Sequence, residues 1–172
     1  MRAFRITPVE HDPQWANQFE DEAARVRRAL GRRALRIDHA GSTSVPGLIA
    51  KPIVDIVLAV VESADEPAYV PALQSAGYVL RIREPGWHEH RLFKRPPVAV
   101  NLHVFSLGCS EIERMLLFRD WLRSNAPDRA LYASSKRRLA QQIWNTVRSY
   151  ADAKTEIVEA ILARARDAGT LK

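Results

Sequence analysis

The stretch from His39 to Asp55, HAGSTSVPGLIAKPIVD, holds the densest set of side chains able to do chemistry. Gly41-Ser42 lets the backbone pass close to a phosphate, since glycine carries no Cβ and the turn's amides and the serine hydroxyl can donate to phosphate oxygens. Thr43 and Ser44 continue the same hydroxyl-rich turn, and Lys51 can set a positive charge beside the same anion. The plainer alternative is a tight strand-to-helix turn with serine as its cap. Asp55 sharpens the reading, because it interrupts an apolar run from Ile53 to Val60. An unpaired carboxylate in a buried strand is costly. A metal, hydrogen bonds, or a salt bridge to Lys51 or a nearby arginine must offset that cost.

Other candidates lie downstream. Strand alternation puts residue 57 on Asp55's face, and that residue is Val57. A later strand offers Asn101 and His103 on one face. A neutral histidine or an asparagine oxygen could complete a one-metal site, although Mg²⁺ prefers carboxylates and water. Tyr132 with Lys136, and Tyr150 with Lys154, are each four residues apart and so share a helix face. Such a tyrosine can stack on a nucleobase while its lysine reaches a phosphate, or the ring can be half-buried with the lysine snorkelling beside it. Arg119 and Asp120 pair with each other or with neighbours. His88 and His90 flank Glu89 in a loop, and two ligands without a third make a poor metal site. His39 supports the turn that follows it, and Cys109 has no activating neighbour.

These residues need elements to position them. Asp12-Pro13 opens a helix carrying Trp15, Phe19, Ala23, Val26 and Leu30 on one stripe, and Gly31 ends it. A strand at Leu35–Ala40 leads into the Gly-Ser turn, followed by an irregular helical turn from Ser44 to Lys51. Residues 53–60 read as a central strand covered on both faces. A helix at Pro67–Ala76 stops at Gly77, a strand follows at Tyr78–Ile82, and Glu84–His90 is a loop. Strands at Arg91–Lys94 and Val98–Phe105 flank Pro96-Pro97. The remainder is helical: one helix opened by a Ser110/Glu113 capping box, a second from Pro127-Asp128 to about Val147, and a third from about Ala151 to Ala168. The expected fold class is α/β (α+β), a mixed β-sheet with flanking helices and a C-terminal helical layer. One domain spans 1–172, with its sheet core at about 34–105 and its C-terminal helices at about 110–168.

Composition sets the limits. A chain of 172 residues, 47% hydrophobic and 27% charged, can bury a core and is not the composition of a disordered one. A single cysteine cannot form an internal disulfide. The absence of a signal-peptide pattern or a long apolar run leads to the expectation of a cytoplasmic protein with no membrane partner. The formal net charge of +6 suits a phosphorylated small molecule as well as nucleic acid. Its arginines are scattered through several helices, so nucleic acid is the poorer reading.

The chain resembles the GrpB family from about His11 to Ala165. The signature is Gly41-Ser-Thr-Ser-Val-Pro-Gly47 with Ala50-Lys-Pro-Ile-Val-Asp55, supported by Asn101-Leu-His-Val-Phe105, Phe118-Arg-Asp-Trp-Leu-Arg123, Tyr132 with Lys136 and Tyr150 with Lys154. The resemblance implies a nucleotidyltransferase-like fold, whose members place Gly-Ser after the first strand and three carboxylates on later strands to hold two metals. Here only Asp55 matches that acidic set. The implied function is nucleotide binding, with transfer of a nucleoside monophosphate to a small acceptor. Gly41, Ser42, Thr43 and Ser44 would hold phosphate, Asp55 a Mg²⁺ ion, and Lys51 or Arg91 the remaining charge. Tyr132, Lys136 and Lys154 would contact the ligand, and His103 would be a metal ligand or take the acceptor's proton. GrpB-like domains also occur fused to dephospho-CoA kinase, which implies the alternative of a non-catalytic accessory module for that kinase or for CoA metabolism.

Overall fold

The computed structural model describes residues 5–170; the ends of the expected domain, 1–4 and 171–172, lie outside them. Five strands form one mixed sheet in the order β1-β2-β5-β4-β3. They are β1 (Arg36–Ala40), β2 (Val54–Val60), β3 (Val79–Glu84), β4 (His90–Arg95) and β5 (Val98–Ser106). The pair β2–β5 is parallel, while β1–β2, β5–β4 and β4–β3 are antiparallel. Helices α1 (Gln14–Leu30) and α2 (Val70–Ser75) cover one face, and α3 (Ser110–Ser124), α4 (Ala126–Ala140) and α5 (Val147–Thr170) form a layer on the other side.

The first helix follows from its sequence. Asp12 Oδ1 accepts from the Gln14 amide at 2.9 Å, and Gly31 terminates the helix at φ 55°, a backbone region that glycine enters without a Cβ clash. Its apolar stripe, Trp15, Val26 and Leu30, packs on Ile56, Leu58, Leu102 and Val104 of the two central strands. Each such side chain contributes roughly 1.5–3 kcal/mol by leaving water. On the opposite face Val57, Ala59 and Phe105 pack under Ile112 and Leu116 of α3. The central strand is therefore covered on both sides, as its composition requires.

Several boundaries differ from expectation. The helix placed at Pro67–Ala76 is a 3₁₀ turn at Glu66–Ala68 followed by the short α2. The loop expected at Glu84–His90 is shorter by one residue at each end, because Glu84 closes β3 and pairs with His90, the first residue of β4. Ser110 is the first helical residue of α3 rather than its cap, and no side chain caps that end. Helix α4 instead begins after Asn125, whose side chain accepts from the Asp128 amide at 2.9 Å, and ends at Ala140 instead of running to Val147. The chain turns at 141–146, where the Trp144 indole donates to the Leu139 carbonyl at 2.9 Å. Helix α5 then starts at Val147, a turn earlier than expected, and this places Tyr150 within the helix.

Candidate functional site

The Gly-Ser turn sits at the end of β1, the strand that pairs with β2 so that Ala40 lies opposite Asp55. Gly41 has φ 67°, and a Cβ there would come within 2.5 Å of Asp55 Oδ2. Both facts require glycine: the backbone region is hostile to other residues, and the carboxylate occupies the space a side chain would fill. Ser44 folds inward, its hydroxyl donating to the Gly41 carbonyl at 2.5 Å, so it shapes the turn without lining the cavity. Thr43 Oγ1 lies 2.9 Å from His39 Nε2, and the His39 ring stacks on Phe19 with centroids 4.9 Å apart. Burial, then the charge of Arg123, lowers the His39 pKa to about 4. His39 is thus a neutral brace behind the turn, as the sequence suggested.

In front of the turn lies a cavity of about 410 Å³. Gly41, Ser42, Thr43, Lys51, Asp55, Asn101, His103, Tyr132, Lys136, Tyr150 and Lys154 all line it, so the fold gathers into one place residues spread over 114 positions of sequence, from Gly41 to Lys154. Asp55 Oδ1 accepts from Asn101 Nδ2 at 3.0 Å and lies 3.2 Å from His103 Nε2. The parallel register explains this: Asp55 pairs with Asn101, and Val57 with His103. Burial pushes the Asp55 carboxyl up, but the neighbouring His103, the Asn101 hydrogen bond and the charge of Lys51 outweigh it and hold the group below its ordinary value. The carboxylate is ionised at neutral pH.

Three lysines face that single carboxylate. Lys136, buried in α4, donates to the Ser42 hydroxyl and to the Ile49 carbonyl, the latter at 3.0 Å. Its ammonium lies 4.7 Å from the centre of the Tyr132 ring. Lys154 Nζ lies 4.5 Å from the Tyr150 ring centre, and Lys51 Nζ lies 5.5 Å from the same ring. Both tyrosine–lysine pairs therefore reach the cavity from their helices. Burial, then the charges of Lys154 and Lys51, drives the Lys136 amine well below its ordinary value despite Asp55. Burial and Lys51 lower Lys154 to about 8. These ammonium groups crowd one another and lack enough negative charge among them.

Arg91 falls outside this site. It lies opposite Val104, on the apolar face, and pairs with Glu89 at 3.2 Å and Glu66 at 3.6 Å. The one-residue alternation of β4 turns it away from the cavity, and the phosphate role expected for it has no geometric basis. Nor do the residues fit a divalent metal. No group of three or more His, Cys, Asp or Glu side chains converges among the described residues. Val57 is buried among Ala40, Phe105, Ile112 and Leu116, with hydrocarbon where a second carboxylate would be needed. Mg²⁺ demands a near-octahedral set of oxygens. Asp55 Oδ1 already faces Asn101 and His103, which leaves Oδ2 as the single remaining carboxylate oxygen, and the charges around it are those of three lysines.

Two participants escaped sequence reasoning. His90 Nε2 lies 3.0 Å from His103 Nδ1, and His90 Nδ1 lies 2.7 Å from Glu84 Oε2. Only strand register brings them together: Leu92 pairs with His103, which sets His90 on the cavity-side face of β4. The sequence signal is the alternation His90-x-Leu92-x-Lys94, obscured because the loop expected at Glu84–His90 takes in both residues.

Fold and site together define an α/β domain with a lysine-lined cavity over its two parallel central strands. The chain belongs to the GrpB family: residues 5–164 match the family described as GrpB protein. It is 60% identical over 160 residues to the UPF0157 protein BH1888 of Halalkalibacterium halodurans, covering 93% of this chain and 82% of that one. The crystal structure of conserved protein GrpB from Enterococcus faecalis superposes with a TM-score of 0.80 at 30% identity, covering 92% of this chain and 96% of that chain. A dephospho-CoA kinase of Mycolicibacterium paratuberculosis is 31% identical over 172 residues, and the match spans 85% of this chain but only 42% of the kinase. Among the described residues no helix is long and apolar enough to cross a membrane.

Proposed function

We propose that the cavity binds a phosphorylated small molecule of the nucleotide class, with its phosphates between the Ser42 turn and Lys51, Lys136 and Lys154. The observation that carries this reading is the convergence of three lysines on one carboxylate and a hydroxyl-rich turn. Amines held below their ordinary pKa by burial and mutual repulsion regain full charge when an anion enters, so the pocket is complementary to a ligand of high negative charge. Tyr132 and Tyr150 supply ring faces for a base or other planar group. Asp55 and His103 stand at the floor, where an acceptor hydroxyl can lose its proton as its oxygen attacks phosphorus and pyrophosphate leaves. The lysines then neutralise the leaving group. The resemblance to nucleotidyltransferases supports that reaction class. A panel of nucleoside mono-, di- and triphosphates and pyrophosphate, with and without Mg²⁺, should raise the melting temperature in proportion to ligand occupancy. The stabilisation should persist without Mg²⁺. A panel in which no phosphorylated compound stabilises the protein would overturn the reading.

A second reading is a non-catalytic accessory module for dephospho-CoA kinase or for CoA metabolism. The match to a kinase of that name and the hydrocarbon around Val57 favour it. Binding of nucleotide without pyrophosphate release in the presence of a range of hydroxyl acceptors would select this second reading over the first.

A further inference from the structure

A single line of titratable groups crosses the sheet, one from each of four adjacent strands. Glu84 of β3 meets His90 of β4 at 2.7 Å, His90 meets His103 of β5 at 3.0 Å, and His103 meets Asp55 of β2 at 3.2 Å. The line runs from the cavity to the edge strand, where the Glu84 side chain is 46% exposed. His90 itself is buried, stacked against Phe105 with centroids 4.9 Å apart and edge-on to Trp87 at 5.2 Å. That packing fixes its ring, and among the described residues the partners of its two nitrogens are Glu84 and His103.

Counting protons gives the line a direction. Three hydrogen bonds need three protons, ionised carboxylates bring none, and two neutral imidazoles bring one each. With both rings neutral, one contact must set two lone pairs against each other. The shortest and best-made contact is Glu84 with His90, and the longest is His103 with Asp55. The contact left without a proton is therefore the one at the cavity. His90 then carries its proton on Nδ1 toward Glu84, His103 carries its own on Nδ1 toward His90, and His103 Nε2 is bare. We propose that Glu84 and His90 are positioning residues that fix the tautomer of His103 so that its Nε2, beside Asp55, is the atom that takes and returns a proton in the cavity.

This rests on the reading of His103 as the proton acceptor. When an acceptor hydroxyl gives up its proton, that proton becomes the third of the line, His103 becomes an imidazolium hydrogen-bonded at both nitrogens, and Asp55 stabilises it. Other charges face the line. Arg91 lies beside His90, and Lys51, Lys136 and Lys154 lie around Asp55. Burial, only partly opposed by the Glu84 hydrogen bond, lowers the His90 pKa, which keeps the second ring neutral and confines the extra proton to His103.

The tautomer is read without any ligand. Imidazole nitrogen NMR of the ¹⁵N-labelled full chain, with both rings neutral, should show a bare Nε2 and a protonated Nδ1 at His103. In Glu84→Gln the amide N–H can donate to His90 Nδ1, which satisfies all three contacts with no extra proton. Both rings should then reverse, leaving His103 protonated on Nε2. Glu84→Ala, with neither donor nor acceptor, should give a mixture. Pyrophosphate binding measured by thermal shift should be unchanged in both variants. A His103 that keeps its Nε2 proton in the unaltered chain, or a tautomer that ignores both substitutions, would overturn the proposal. Loss of pyrophosphate binding in the unaltered chain would overturn the cavity reading and leave the tautomer result standing.

Discussion

The two faces of the sheet use the same strands for opposite ends. Toward α1 and α2, β2 and β5 present Ile56, Leu58, Leu102 and Val104, all fully buried. Toward the C-terminal helices the same strands present Asp55, Asn101 and His103, with hydrocarbon beside and beyond them at Val57, Ala59 and Phe105. One face is a continuous core. The other is a core interrupted by a polar cavity whose charges repel one another. Stability and function are thus separated by a single residue step along one strand, and the cavity is the part of the fold held against its own electrostatic interest.

Adjacent residues test that separation most directly. Ile56→Ala should cost about 2–5 kcal/mol of unfolding free energy, read from denaturant titration, and leave pyrophosphate affinity intact in the protein that remains folded. A cost below about 1 kcal/mol would mean that the apolar face is not the main source of stability. On the cavity side Lys136→Met should act the other way. Anion affinity should fall at least about tenfold, roughly 1.4 kcal/mol, while stability holds or rises because a buried amine is replaced by hydrocarbon of similar shape. A large stability loss would instead make Lys136 a structural strut for the Ser42 turn.

Ser42→Ala should weaken phosphate binding by about 1–2 kcal/mol, measured by calorimetry, through one lost charge-assisted hydrogen bond. The pH dependence sharpens the contrast further. Lys154 titrates near 8 in the folded chain against an ordinary value of 10.5. Anion affinity should therefore be level below pH 8 and fall above it, as the amine loses the charge the ligand needs. Between pH 8 and 10.5 the unfolded chain holds the extra proton, so the contribution of Lys154 to folding stability rises with pH over that same window. Opposite slopes for affinity and stability are expected, and parallel slopes would remove Lys154 from the cavity. The smallest effect belongs to Arg91→Gln, which should leave anion affinity within error, since Arg91 lies on the other face beside Glu66 and Glu89.

Local chemistry alone determined much of this protein. Asp12 and Gly31 bound the first helix, the branched run 53–60 is a central strand, and the pairing of a glycine-serine turn with Asp55 marks the cavity, because capping, alternation and the cost of a buried carboxylate act within a few residues. The family resemblance, too, was legible in those motifs. Tertiary structure decided what depends on register and on packing between distant elements. It turned Arg91 to the apolar face through the pairing of β4 with β5, and ended α4 at Ala140 so that α5 could return Tyr150 and Lys154 to the cavity. It also lined up Glu84, His90, His103 and Asp55 across four strands, joining the consecutive run β3-β4-β5 to the distant β2. A one-residue shift of register reverses which face a side chain takes, and composition and periodicity carry no record of which strand will lie beside which.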